Sequence, residues 1–497
     1  LMLRKIRLTF ALIFFFIILL LFLDFTGTVH IWMGWLAKIQ FMPAILAMNF
    51  IVVAILLALT LIFGRLYCSV ICPLGVFQDI AAWLGKKARK NRYSYSPAVS
   101  WLRYTVLGIF IVALVAGAGS LAALLEPYSA FGRIAGNLFS PVYSAINNFL
   151  AFLAERADSY AFYRTDIWIK SIPTFAIAVA TFTIIVVLAW RNGRTYCNTI
   201  CPVGTILGFF ARFSWFKPVM ESSRCVNCKA CEKNCKASAI DVATHTIDYS
   251  RCVACMDCIQ KCNKGAISYT HKTKEKEKPA ADGKSGDINR NRRSFLTATA
   301  LLATTATVTA QEKKVDGGLA IIEKKKIPER STPIVPPGAL GLGNFTQHCT
   351  ACQLCVSVCP NGVLRPSAGL MTLMQPEMSY ERGYCRPECV KCSEVCPAGA
   401  IRPITVAEKS SIQIGHAVWV KENCIPLTDG ENCGNCARHC PAGAIAMIPS
   451  DPSDNNSIRI PAINVEKCIG CGTCENLCPA RPLSAIYVEG HEIHRTI

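Results

Sequence analysis

Apolar positions gather first into four long runs, roughly residues 8–23, 44–63, 104–125 and 172–190. Each is close to the ~20 residues a helix needs to cross a hydrocarbon layer. A shorter apolar stretch at 142–154 suits a helix lying along a membrane surface. Beyond residue 212 the pattern changes, and closely spaced cysteines replace the long runs. Residues 271–291 are rich in Lys, Glu, Asp, Gly and Ser with almost nothing to bury, which predicts a disordered linker. A milder run rich in Ala and Thr then ends near Ala310. The expected organisation is a four-span α-helical membrane domain over 1–212, a domain over 213–270, the linker, a signal or fifth span at 292–312, and a domain over 313–497.

Charge orients the spans. Arg4, Lys5 and Arg7 precede the first run, and Arg65, Lys86, Lys87, Arg89, Lys90, Arg92 and Arg103 lie between the second and third against one acid, Asp79. Residues 126–171 carry four basic and four acidic side chains. The positive-inside rule therefore places the N-terminus and the segments after the second and fourth runs in the cytoplasm. No small-residue cleavage site follows Leu23, so the first run reads as a span rather than a signal peptide. The net charge of +19 lies largely beside these runs, and no nucleic-acid motif accompanies it, so nucleic acid is excluded as a partner. Asp24, His30, Trp32, Trp35 and Glu126 fall at the outer ends of spans. There they read as interfacial anchors in preference to proton acceptors.

An internal repeat marks the inner ends of the second and fourth runs. Gly64-Arg65-Leu66-Tyr67-Cys68-x3-Cys72-Pro73-Leu74-Gly75 recurs, offset by 129 residues, as Gly193-Arg194-Thr195-Tyr196-Cys197-x3-Cys201-Pro202-Val203-Gly204. Parallel repeats bring equivalent ends together. Cys68, Cys72, Cys197 and Cys201 are thus candidates for one four-thiolate site, holding a seventh cluster or another thiophilic metal. Two redox dithiols, or small residues closing a turn, are the alternatives that spacing leaves open.

The other 24 of the 28 cysteines form six runs of four. The first two are Cys225-x2-Cys228-x2-Cys231-x3-Cys235 and Cys252-x2-Cys255-x2-Cys258-x3-Cys262, the bacterial two-cluster ferredoxin pattern with Lys236 and Asn263 in place of the usual prolines. Three cysteines on a tight loop cover one face of a cuboidal cluster, and the fourth ligand comes from the other run. Cys225, Cys228, Cys231 and Cys262 are assigned to one [4Fe-4S] cluster, and Cys252, Cys255, Cys258 and Cys235 to the next. Pairs of Cys-x2-Cys, the usual zinc signature, do not describe such runs.

Asn291-Arg292-Arg293-Ser294-Phe295-Leu296 opens the Ala/Thr-rich run and resembles a twin-arginine export signal, the route by which an already folded cluster domain crosses a membrane. Cleavage after Val308-Thr309-Ala310 would free the C-terminal domain, and without it the run is a fifth span. Beyond it lie Cys349-x2-Cys352-x2-Cys355-x3-Cys359-Pro360, Cys385-x3-Cys389-x2-Cys392-x3-Cys396-Pro397, Cys424-x8-Cys433-x2-Cys436-x3-Cys440-Pro441 and Cys468-x2-Cys471-x2-Cys474-x3-Cys478-Pro479. Six clusters and the repeat account for every cysteine, leaving none for a disulfide. Small and apolar residues follow each run, from Ala239-Ile240 to Ala485-Ile486, and would keep water off a cluster. No nucleotide-binding glycine fingerprint and no Ser/His/Asp or paired-carboxylate set stands out.

On these motifs the first ~270 residues resemble the NapH-type membrane ferredoxins of the periplasmic nitrate reductase system. The last ~200 resemble the NapG-type exported four-cluster ferredoxins, here joined in one chain. The resemblance implies ferredoxin-like α+β cluster domains on an inner-membrane anchor, with the two-cluster domain cytoplasmic and the four-cluster domain periplasmic. It further implies quinol as the electron donor and a periplasmic reductase or cytochrome as the acceptor. Similarity to four-run ferredoxins also implies nesting, with Cys478 completing the first outer cluster, Cys359 the last, and Cys440 and Cys396 exchanged between the middle two; sequential pairing is the alternative. Similar membrane halves accompany copper handling, so an accessory factor that reduces or delivers a metal is a second reading.

Overall fold

The computed structural model describes residues 2–24, 26–89, 93–159, 161–271, 315–316, 320–321, 323–454 and 456–497. Nearly all of the expected linker and the whole twin-arginine segment lie outside the described residues. Residues 1–272 and 326–497 belong to one compact unit, and 273–325 form another.

Two of the four apolar runs are single helices long and apolar enough to cross a membrane, Met2–Leu23 and Ile172–Asn192. The other two are broken. The second divides into Phe41–Leu46 and Phe50–Phe63, because Asn49 caps the latter by accepting from the Val52 N–H at 3.3 Å. The third ends as Ser100–Val115, at Gly117 with φ of 74°, and resumes as Gly119–Leu125. The expected surface helix at 142–154 is the end of a longer path: Pro127–Ile134 runs through a π turn, Ala135–Phe139, into Ser140–Arg156.

Each repeat copy folds alike. A short helix holding the first cysteine, Leu66–Val70 or Thr195–Thr199, is followed by a turn at the second cysteine. A longer helix then begins with proline at its first position, Pro73–Arg89 or Pro202–Ala211.

The cluster regions are built from one module used three times, consisting of a cysteine run, a short antiparallel hairpin and a second run. The hairpins are Ile240–Asp241 with Thr246–Ile247, Leu364–Pro366 with Pro376–Met378, and Ile445–Pro449 with Arg459–Ile463. Flanking strands close two of the modules, Phe216–Met220 against Ile267–His271 and Ile412–Trp419 against Ile486–Thr496. The Ala-Ile pairs after the runs are buried, so each module's core is also the wall around its thiols.

Both cluster regions pack on the helical half. At the contact with the first module Asp79 accepts from Arg7 and Arg194, each at 2.6 Å, and from Lys236 at 2.8 Å. Lys236 also reaches Asp257 at 3.2 Å, and its carbonyl accepts from the Arg194 N–H at 2.7 Å. The departure from proline after Cys235 thus supplies a cation that ties the first module to the helices. At the contact with the second module Asn137 Nδ2 donates to Gln353 Oε1 at 3.0 Å. Trp168 lies under the guanidinium groups of Arg365 and Arg382, 5.1 and 4.3 Å from the ring centroid. Gly132 faces the Cys352 carbonyl so closely that a Cβ there would overlap its oxygen.

Candidate iron-sulfur sites

Backbone conformation shapes the cysteine loops. In each of four regular runs the second and fourth residues after the first cysteine have positive φ: Asn227 and Lys229, Ala254 and Met256, Ala351 and Gln353, Gly470 and Gly472. Six of these eight are not glycine, and such residues adopt that conformation only where the surroundings demand it. Left-handed residues alternating in this way are the backbone pattern of an anion-binding nest. Amides donate to sulfur from Ala239 to Cys235 at 3.4 Å, Ala266 to Cys262 at 3.2 Å, Ala444 to Cys440 at 3.3 Å and Ala485 to Cys478 at 3.3 Å.

Apolar cavities show which thiols face one another. Cys235, Cys252, Cys255 and Cys258 line one, with Ala239, Ile240 and Val253. Cys349, Cys352, Cys355 and Cys396 line a second, and Cys359, Cys385, Cys389 and Cys392 a third. Cys231 lies within electrostatic reach of Cys225 and Cys262. Cys436 lies near Cys424, Cys433 and Cys478, and Cys474 near Cys440, Cys468 and Cys471.

These groupings over residues 313–497 differ from the nested pairing and follow the sequential alternative. Cys396 stands with Cys349, Cys352 and Cys355, where Cys478 was expected, and Cys359 stands with Cys385, Cys389 and Cys392 in place of the last run. Likewise Cys478 faces Cys424, Cys433 and Cys436, and Cys440 faces the last run. The reason is topological: a short hairpin joins the first run to the second and the third to the fourth, so each run exchanges its fourth thiol with its hairpin partner. Cys396→Ser is therefore expected to abolish the same spectroscopic component as Cys349→Ser, and Cys478→Ser the same component as Cys424→Ser. Cluster-resolved electron paramagnetic resonance checks this, and a shared component for Cys478→Ser and Cys349→Ser contradicts it.

The thiols suit metal-bound thiolates. Burial pushes Cys352 up to about 12 and Cys385 up to about 11, so the bare groups hold their protons at pH 7 and only an electrophilic metal converts them. Among the described residues no three His, Cys, Asp or Glu side chains approach closely enough to hold a single ion. Four thiols around an apolar cavity fit a larger body gripped at its corners, and [4Fe-4S] clusters supply one-electron transfer when bound.

The structure also brings the repeat cysteines together. Cys68, Cys72, Cys197 and Cys201 are each at most 4% exposed, and all four lie within electrostatic reach of one another. Arg65 Nη2 donates to the Cys197 carbonyl at 3.2 Å, and Arg194 Nη1 to the Cys68 carbonyl at 2.7 Å. Gln78 Nε2 donates to Cys197 Sγ at 3.2 Å, and the Gly204 N–H to Cys201 Sγ at 3.3 Å.

Of the five polar residues read as outer anchors, Trp32 and Trp35 are exposed. Asp24 accepts from the N–H groups of Gly27 and Val29 at 2.9 and 2.8 Å. Glu126 differs: it is 2% exposed, accepts from the N–H groups of Tyr128 and Ser129, and lines an apolar cleft with Met42, Leu46, Phe110, Leu114 and Cys349. Sequence reasoning missed this, since the residues that share its cleft include Gln347, Cys349 and Thr350, distant from it in sequence.

Comparison with known proteins agrees with this geometry. The family described as 4Fe-4S binding domain matches twice, at 45–92 and 174–220, once over each repeat copy, and the 4Fe-4S dicluster domain matches 423–481. The methylamine utilization ferredoxin-type protein MauM of Paracoccus denitrificans is 33% identical over 169 residues, 32% of this chain and 73% of that protein. The chain belongs to the MauM ferredoxin-type family. It is an iron–sulfur electron-transfer protein, related also to the ferredoxin-type protein NapF of Escherichia coli, 28% identical over 179 residues, 36% of this chain and 99% of that one. An uncharacterized protein of Methanocaldococcus jannaschii is 36% identical over 61 residues, 12% of this chain, and the chain spans a quarter of its length. No solved structure matches.

Proposed function

We propose that the chain is a quinol-oxidising electron carrier of the bacterial inner membrane, a NapH-like half joined to a NapG-like half. Four apolar helical segments anchor it, the two-cluster module faces the cytoplasm, and the four-cluster domain faces the periplasm and passes electrons to a reductase or cytochrome there. Six [4Fe-4S] clusters are held by the inner sets Cys225/Cys228/Cys231/Cys262 and Cys252/Cys255/Cys258/Cys235, and by the four outer sets the thiols form.

The observation that carries the reading is the cleft at Glu126. Helices of the membrane half supply its apolar lining, Gln347, Cys349 and Thr350 supply the rest, and its one carboxylate is buried; its free volume is about 10 Å³, so a quinol ring enters as the cleft opens. Oxidation of a quinol releases two electrons and two protons. Glu126 takes one proton from a quinol hydroxyl and the second proton leaves to solvent at the cleft mouth, while the two electrons leave one at a time toward the one-electron acceptor that the neighbouring cysteine loop would hold. The hydrogen bonds from Tyr128 and Ser129 fix the carboxylate at the start of Pro127–Ile134.

Glu126→Gln keeps shape and removes the proton acceptor. Anaerobic protein given reduced menaquinol analogue is expected to reduce its clusters about 100-fold more slowly in this variant, with dithionite-reduced spectra unchanged. Equal rates in variant and parent overturn the role of the cleft, and no reduction of the parent at all overturns the quinol reading.

A further inference from the structure

We propose that Cys68, Cys72, Cys197 and Cys201 hold one shared [4Fe-4S] cluster, a seventh, at the pseudo-twofold contact between the two repeat copies. The site needs only the ferredoxin character of the chain; its place on an electron path rests on the quinol reading.

Symmetry is the first argument. Each copy's arginine reaches across to the other copy's first cysteine, Arg65 to the Cys197 carbonyl and Arg194 to the Cys68 carbonyl. Each copy's glycine, Gly75 or Gly204, faces its own first cysteine's carbonyl and the other copy's guanidinium with no room for a Cβ. Two independent dithiols need neither arrangement.

Electrostatics is the second. A four-iron cluster on four thiolates is anionic. The Arg65 guanidinium is fully buried beside the site, that of Arg194 is buried there and shared with Asp79, and two helix N-termini, those of Pro73–Arg89 and Pro202–Ala211, begin at Cys72 and Cys201. Gln78, Arg65 and the Gly204 N–H supply donors to sulfur, with Arg65 Nη2 3.8 Å from Cys68 Sγ. Such donors tune a cluster's potential.

Position is the third. Arg65 Nη1 donates to the Ser250 carbonyl at 3.0 Å and Asn198 Nδ2 to the Ala237 carbonyl at 3.2 Å, each two residues from a cysteine of one inner set, Cys252 and Cys235. On the opposite side the Tyr196 hydroxyl donates to the Leu125 carbonyl at 3.3 Å, next to Glu126 and the cleft that Cys349 rims. The centre therefore stands between the inner set at Cys252 and the outer set at Cys349. It gives single electrons a stepping stone through the apolar layer, with reduction of one flanking cluster matched by oxidation of the other.

The test uses full-length, anaerobically purified protein with Cys68→Ser/Cys72→Ser, with Cys197→Ser/Cys201→Ser, and with all four changes. Each pair alone is expected to remove about one-seventh of the iron and acid-labile sulfide, the quadruple variant no more than either pair, and the signals of the remaining clusters persist as the check on folding. Unchanged iron in the variants overturns the proposal, as does additive loss from the two pairs. So does copper or zinc bound to the parent protein and lost with the thiols.

Discussion

Asp79→Asn is expected to detach the module that carries Cys225–Cys262 from the helices. Asp79 is the one acid shared by Arg7, Arg194 and Lys236, all buried or nearly so, and removing its charge takes the carboxylate from both arginines and leaves Lys236 with Asp257 as its acidic partner. Breaking a buried pair by removing one partner costs about 3–5 kcal/mol, and here one carboxylate serves three partners. Burial raises this carboxyl, but Arg194, Lys236 and Arg7 outweigh it and hold it well below its usual value of 3.8. A carboxyl depressed in the folded state contributes stability that is present above its unfolded value and lost as pH falls through the lower, folded one. Docking in the parent should thus be constant from pH 5 to 8, while the variant is undocked throughout. Hydrogen exchange over Phe216–Met220 and Ile267–His271 reads this out, and parent-like protection in the variant contradicts it.

Gly132→Leu is expected to do the same on the other side. A side chain at 132 meets the Cys352 carbonyl and, at 2.9 Å from its Cβ, the ring of Phe22. Neither gives way easily, because Phe22 is held among Tyr128 and Phe131 and the carbonyl belongs to the loop that curls around the first outer set. Overpacking of this kind costs about 1–3 kcal/mol, and the strain falls on the cysteine loop as well as the contact. The expected result is retained iron in the inner module with loss of the component assigned to Cys349, Cys352, Cys355 and Cys396. Retention of that component with unaltered quinol-driven reduction counts against the contact.

The cysteine runs were legible because ligand spacing is local: three thiols on one tight loop need fixed intervals whatever the rest of the chain does. The repeat was legible for a related reason, since a constant offset of 129 residues survives without any knowledge of packing. The exchange partners of Cys359, Cys396, Cys440 and Cys478 were not, because hairpin connectivity decides them and spacing is blind to it. The helix breaks after Leu46 and Val115 were also hidden, since hydropathy continues smoothly across both and only Asn49 and Gly117 signal them. Lys236 and Glu126 show the same limit. Each looked like a local departure or a surface anchor, and each acquires its role from a partner more than 100 residues away in sequence: Asp79 for Lys236, Cys349 for Glu126.

Iron and acid-labile sulfide per chain, measured on anaerobically prepared full-length protein, test the central claim most directly. Thiols grouped in fours around apolar cavities predict at least six four-iron clusters, about 24 iron atoms with matching sulfide. A colourless preparation, or iron sufficient for only one or two clusters, contradicts the account.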